Sequence, residues 1–371
     1  MQIAILGAGM VGRTMAIDLA AKYRVTSFDV SNHALQLLNR KCDAIKTVQA
    51  DLGDHAGYEY LLKDFDFVIS AVPGFMGYRT LEAIILARKN VVDISFSPEN
   101  ALELDALAKE KNVTAIVDCG VAPGMSNLIL GYHNERMTIT NFECLVGGLP
   151  KKRVYPFEYK APFSPMDVLE EYTRPARYVE NGHLVTKPAL SDAELIDFEN
   201  AGTLESFNTD GLRSILFTMG HIPNMKEKTL RYPGHIDLMK GLIKAGFLNA
   251  APVSFKGRQV SPLEFTSTLL FDQWKLGETE AEFTIMQIKV SNAAKTICYD
   301  LYDEYDVATQ SSSMSRTTGY ACTAALNMMI EKLFTAKGVY PPELVGRDEK
   351  CFNFIMQYLK ERNIHYRVTE S

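Results

Sequence analysis

Gln2-Ile3-Ala4-Ile5-Leu6-Gly7-Ala8-Gly9-Met10-Val11-Gly12 opens the chain on a short apolar run followed at once by spaced glycines. The run has the length and continuous apolarity of a strand buried on both faces, and helical spacing of apolar residues follows over 11–21. Strand, glycine-rich turn and helix in that order predict a dinucleotide-binding unit. Gly7 permits the tight turn, Gly9 lets the backbone approach a pyrophosphate, and Gly12 allows close packing of helix on strand. Met10 and Val11 join them as expected contacts, because the phosphates meet free N–H groups at the helix N-terminus.

A second strand over 24–28 runs into Asp29, about 20 residues beyond Gly7, the spacing at which a carboxylate accepts hydrogen bonds from the adenosine ribose. That carboxylate would repel a 2′-phosphate, and Ser31-Asn32-His33 offers no strong phosphate clamp. NAD is therefore expected over NADP. Further strands over 44–49, 67–71, 90–93 and 115–118 alternate with helical stretches such as 81–89. Short apolar strands joined by helical crossovers predict a Rossmann-type, doubly wound parallel sheet. At its carboxyl edge, Ala71, Val72, Pro73 and Phe75 would border the nicotinamide, and Asp93 and Ser95 would point into the same crevice. Asp51, after the third strand, either reaches the adenine or caps a turn.

From about Thr138 the texture changes to alternating strands and hairpin turns, with Glu180-Asn181-Gly182 and Asn200-Ala201-Gly202 supplying the turn residues. This predicts a second, α+β domain with a mixed or antiparallel sheet. Helices are expected over 235–245 and from Ser261 onward, then a hairpin over 283–290 and 296–302, then a long apolar helix over 314–334.

The 371 residues suit two domains, and 45 acidic against 39 basic side chains leave a net charge of −6. That balance gives no basic footprint for nucleic acid. No apolar run approaches the roughly 18 residues of a membrane span. The six cysteines are scattered without zinc-site spacing, so no metal is expected. Buried free thiols in a reducing cytoplasm are the simpler expectation.

The motifs GAGMVG, AVPGF, VDISF, DCGVAPGMSN, LVGGLP, EEYTRPARYVENG, TDGLRS, TLRYPGH and SMSRTTGYACT occur in the order seen in the saccharopine dehydrogenase family, which the chain resembles from residue 1 to about 345. The stretch over 146–235 is similar to bacterial and archaeal L-lysine 6-dehydrogenases. The resemblance implies NAD-dependent oxidation of the ε-amino carbon of L-lysine, releasing ammonia and 2-aminoadipate 6-semialdehyde, which cyclises to a piperideine carboxylate. It also implies a final helix returning to the nucleotide domain. The domains expected are 1–125 with 311–371 for NAD, and 126–310 for substrate binding and dimerisation, in a homodimer or larger homo-oligomer. Saccharopine reductases of the family carry Asp and Cys where this chain has Ala122 and Val146, which points away from the alternative substrate, a secondary amine. A non-catalytic NAD-binding redox sensor is the other alternative.

Amine oxidation needs a neutral amine, a carboxylate clamp and a proton carrier. Arginine's planar fork suits the clamp. Arg174 (beside Thr173), Arg213 and Arg231 are the candidates, although structural ion pairs are the commoner role of each. Arg79 and Asn127 would also face the substrate. Asp93 and Asp210 are the candidate catalytic acids, Asp210 receiving the α-ammonium. His235 is either a proton carrier titrating near neutral pH or a helix cap.

Overall fold

A computed structural model describes residues 1–371. In chain order the strands are Gln2–Leu6 (β1), Arg24–Asp29 (β2), Lys46–Gln49 (β3), Phe67–Ser70 (β4), Asn90–Asp93 (β5), Thr114–Ile116 (β6), Asn141–Pro150 (β7), Ala176–Glu180 (β8), His183–Lys187 (β9), Glu194–Phe198 (β10), Gly202–Asn208 (β11), Asn224–Arg231 (β12), Val253–Phe255 (β13), Arg258–Val260 (β14), Glu282–Ser291 (β15), Thr296–Glu304 (β16), Gly338–Tyr340 (β17) and Tyr366–Glu370 (β18).

Seven of them form one parallel sheet in the order β17-β6-β5-β4-β1-β2-β3. Its central strand β1 is apolar and buried over Ile3, Ala4, Ile5 and Leu6. The chain winds one way from β1 to β3 and the other way from β4 to β6. The reversal falls between β1 and β4, and there the loops at their carboxyl ends part to leave a ligand crevice. The predicted doubly wound sheet is therefore present.

The second sheet is mixed and nine-stranded, with β10-β11-β12-β7-β15-β16-β18 as its path and β8-β9 attached to β12. β12 and β7 are parallel neighbours at its centre, and the remaining pairs are antiparallel. One face, with Phe142, Cys144, Met286 and Ile288, packs in one apolar core with Ile129 and Ala325. Those two residues come from the helices Met125–Asn134 and Ser313–Ile330. The opposite core gathers Leu149, Phe207, Tyr172 and Trp274.

Three expectations shift. The helix expected over 81–89 instead begins at the turn after β4 and spans Gly74–Leu86. The sixth strand ends at Ile116, before Asp118 turns with φ 52°. The division that assigns all of 311–371 to the nucleotide domain is also corrected. After the helix Glu349–Lys360, the chain crosses to the other sheet and pairs as β18 along β16. No helix is long and apolar enough to cross a membrane.

Candidate active site

The turn after β1 closes only because it is built from glycine. Gly7 holds φ at 112°, and a Cβ there would lie 2.5 Å from the Ala71 carbonyl oxygen. A Cβ on Gly12 would lie 2.1 Å from the Gly7 carbonyl oxygen. Gly9 differs, since nothing lies within 4 Å of a Cβ placed there. It stands at the head of the helix Met10–Ala20, which no side chain caps. The first-turn N–H groups at Met10 and Val11 thus face open space, the donor set that a pyrophosphate needs. Asp29 is fixed at the end of β2 by accepting from the Ala8 and Ser31 N–H groups, at 2.7 Å each. Its remaining lone pairs are available to ribose hydroxyls. These residues fit a dinucleotide. Asp51 accepts from the Gly53 N–H at 2.8 Å, the turn-capping alternative, and is exposed.

Across the crevice, Ala71, Val72, Pro73 and Gly74 pass from β4 into the next helix. The Gly74 N–H donates at 3.3 Å to Asp167, an acid on the second domain's helix Pro165–Thr173. Phe75 is 65% exposed, turned to solvent. Asp93 is buried at the end of β5, with the Ser95 hydroxyl 2.8 Å from both of its oxygens. Burial raises its pKa to about 7, against the opposing hydrogen bond from Ser95. Asp93 and Ser95 line one cavity with Gly77, Ser97, Asp118 and Arg213.

Arg213 is the bridge from the second domain. Its Nε donates to Asp118 at 2.8 Å, its Nη1 donates to the Ser97 carbonyl, and both members of the ion pair are buried. Each also adopts a left-handed backbone, φ 48° and 52°. The guanidinium groups of Arg213 and Arg174 lie 4.8 and 5.2 Å from the centre of the Phe96 ring. Arg174 donates to Glu170 from Nη2, whereas its Nη1 is a buried donor without a partner.

Several expected roles are corrected by this geometry. Arg79 is 71% exposed and pairs with Glu82 on its own helix, outside the crevice. Arg231 is wholly engaged: Nε donates to the Tyr172 hydroxyl and Nη2 to Glu171, both at 2.8 Å, and Nη1 to the Leu230 carbonyl at 3.0 Å. It braces the domain and leaves no fork for a substrate. Asp210 accepts from Arg177 Nε and Nη2, both at 2.9 Å, so its charge is already matched. His235 lies between the Phe157 carbonyl and the Tyr172 hydroxyl. Burial, reinforced by Arg231, lowers its pKa to about 3, so it stays neutral and does not titrate near pH 7. Thr173 turns its hydroxyl back to the Leu169 carbonyl. Asn127 donates to Ser214 and Glu343, tying the two domains together.

Asp118, Glu171, Tyr172, Arg177 and Glu227, to which the sequence assigns no role, complete the junction. Charged residues crowd the motifs around them, so their burial has no signature in composition. One signal was readable: Glu227 and Thr229 alternate along a run that ends in the Leu-Arg-Tyr-Pro-Gly turn. No three His, Cys, Asp or Glu side chains gather into a group able to hold a metal ion.

A glycine turn open to a pyrophosphate, a ribose acid and a crevice closed by a second domain define an NAD-dependent oxidoreductase. The chain belongs to the saccharopine dehydrogenase family. Residues 3–116 match the saccharopine dehydrogenase NADP binding domain, and residues 120–364 the saccharopine dehydrogenase C-terminal domain. The mitochondrial alpha-aminoadipic semialdehyde synthase of Rattus norvegicus is 24% identical over 72% of this chain and 31% of its own length. The NADP(+)-dependent, L-glutamate-forming saccharopine dehydrogenase of Pyricularia oryzae is 25% identical over 78% of this chain and 66% of its own. The chain thus spans about a third of the length of the synthases it matches. In three dimensions it superposes on apo saccharopine dehydrogenase (L-Glu forming) from Saccharomyces cerevisiae with a TM-score of 0.79 and 20% identity, covering 100% and 99% of the two chains. These relatives overturn the expectation of direct oxidative deamination of free lysine. They are saccharopine dehydrogenases and semialdehyde synthases.

Proposed function

We propose that the chain is a saccharopine-type dehydrogenase that uses NAD to oxidise the carbon next to the secondary amine of saccharopine, forming L-glutamate and α-aminoadipic semialdehyde. The relatives' names support the substrate, and one feature of the site carries it: the Arg174 Nη1 donor, buried without a partner beside Phe96. A buried guanidinium N–H left unmatched is costly, and a substrate carboxylate would satisfy it. Saccharopine brings three carboxylates, two on the glutamate side of its amine and one at the far end of the lysine part. In the same reading, residues 1–125 and the returning helix Ser313–Ile330 hold the nucleotide, and 126–310 hold the substrate. Homodimer formation through the second domain is supported by its exposed apolar side chains, among them Val253, Phe255, Phe265 and Leu269. Residence in the cytoplasm is supported by six free cysteines.

When bound, the nicotinamide supplies a hydride acceptor. The chain's own residues position and shield. Gly7, Gly9 and Gly12 set the nucleotide's entry, and Phe96 with its two guanidinium neighbours walls the crevice. Asp93, fixed by Ser95, holds a proton near neutrality at the edge of the sheet. Incubation with saccharopine and NAD is expected to produce NADH with equimolar glutamate, and lysine is expected to leave NAD unreduced. Absence of turnover with saccharopine would refute the assignment.

A further inference from the structure

We infer that Glu227 is the catalytic acid–base of this site: its carboxylate takes the proton that water loses on adding to the oxidised amine, and returns a proton to the departing nitrogen. The inference deepens the saccharopine-type reading and rests on it.

Glu227 lies on β12, on the same face as Met225 and Thr229, opposite Cys144 of β7 in the register. That face looks toward the nucleotide domain. The residue is 6% exposed, yet its carboxyl accepts no hydrogen bond from the chain. The acids around it are all engaged: Asp118 by Arg213, Asp210 by Arg177, and Glu171 by Arg231. A buried acid is ordinarily hydrogen-bonded, so one without a partner marks a place where something else binds. Nor are its oxygens sealed in, since the enclosed partnerless atoms include the Trp274 indole nitrogen but neither oxygen of Glu227.

The chain also makes room for this carboxyl. A Cβ built on Gly211 would fall 1.6 Å from Glu227 Oε1, so the missing side chain of Gly211 is the berth in which the acid rests. Gly211 lies two residues before Arg213, whose guanidinium reaches Asp118 in the cavity shared with Asp93 and Ser95. The acid therefore stands at the junction of sheet edge and second domain.

The groups facing it come from every packed element: Glu171 from the helix Pro165–Thr173, Asp210 and Arg213 from the loop after β11, Asp118 from the loop after β6, and the Cys144 thiol from β7. Burial, with Glu171, Asp210 and Asp118 adding to it against Arg213, pushes the carboxyl up to about 8. A base whose pKa lies near the working pH is the efficient one. Ala122 and Val146 bring no titratable group to the crevice, and Asp93 is held by its serine.

With the dinucleotide bound, the nicotinamide would accept, and be reduced by, the hydride that the carbon beside the neutral secondary amine gives up, which leaves a C=N bond with nitrogen positively charged. Water forms a C–O bond to that carbon while one O–H bond breaks, the proton passing to Glu227. Protonated Glu227 then gives this proton to the nitrogen. The C–N bond breaks, and its electron pair leaves with glutamate. The hydroxyl proton returns to Glu227 and on to solvent as the aldehyde C=O forms.

The test uses the full chain with saccharopine and NAD. Glu227→Gln is expected to lower kcat by about 100-fold or more, with NAD affinity unchanged, and to abolish the rise of kcat/KM with pH through about 8. Glu227→Asp restores part of the rate and the pH limb. Gly211→Ala, which displaces the carboxyl without removing it, lowers kcat in the same direction and gives a second reading should the glutamine variant fold poorly. Wild-type rate and pH profile in Glu227→Gln would overturn the role of Glu227 and leave the saccharopine assignment standing. A wild-type chain inert toward saccharopine would remove that assignment and this inference with it.

Discussion

Asp29 spends a lone pair on each of two backbone N–H groups, at Ala8 and Ser31, and so fixes one orientation of its carboxylate above the turn. A ribose with free hydroxyls donates to it, whereas a 2′-phosphate meets a negative charge that no arginine or lysine of Val30-Ser31-Asn32-His33 offsets. The family model is described by NADP and the Pyricularia relative uses NADP(+), but the residues of this chain select NAD. Asp29→Asn keeps the shape and removes the charge. A hydrogen bond to a charged group is worth about 1.5–3 kcal/mol, so the ratio of kcat/KM for NAD over NADP should fall by roughly 10- to 100-fold, most of it as a raised KM for NAD. An unchanged ratio in side-by-side kinetics would place the ribose elsewhere.

At the scale of elements, the helix Met10–Ala20 approaches β1 as closely as Gly12 allows. Gly12→Ala brings a methyl group to 2.1 Å from the Gly7 carbonyl, a backbone atom that cannot rotate away. The helix must move outward and carry its N-terminus from the phosphate position. Dinucleotide affinity, followed by quenching of protein fluorescence, should drop by more than 10-fold, at a stability cost of about 1–3 kcal/mol. Retained affinity would show that the turn tolerates a wider packing. The first sheet was legible for the same reason that this helix packs so closely: continuous apolar strands and glycine turns leave one reading. β12 was legible only through the alternation of Glu227 and Thr229. Asn-Met-Lys-Glu-Lys-Thr-Leu-Arg carries four charges, yet it lies at the centre of the second sheet. Its charges are answered by distant residues, with Lys228 donating to Glu194 and the Asp192 carbonyl, and Arg231 to Glu171 and Tyr172. Arg231 was recognisable as a clamp candidate and Asp210 as an acid for the α-ammonium, but the partners that occupy them come from elements far away in sequence, and spacing cannot reveal those.

Over the whole molecule, the buried acids give folding a pH dependence of definite sign. Burial raises Asp93 and Glu282 to about 7 and Glu227 to about 8, whereas the unfolded chain releases those protons near 4. A carboxyl raised on folding adds stability below its unfolded pKa, and that stability is lost as pH rises through the folded value. His133 and His235 are lowered, to about 4 and about 3, mainly by burial. Their stability is present above the unfolded value near 6.5 and is lost as pH falls through and below it, so at about pH 6.5 they still oppose the acids and from about pH 7.5 they are neutral in both states. Between about pH 6.5 and 8 the raised acids outweigh these histidines, with Asp167 and Asp303, raised by burial to about 6, adding to the slope at the lower end. The thermal midpoint of the nucleotide-free protein should therefore decline across that window, each acid contributing at most about 1.4 kcal/mol per pH unit. Glu227→Gln removes one share, and since Glu227 is the last of the three to titrate, the flattening should be greatest toward pH 8. A midpoint that holds level or climbs from pH 6.5 to 8, read by calorimetry in low salt, would mean that these carboxyls are already ionised in the native state. Glu227 would then need a partner that the fold does not supply.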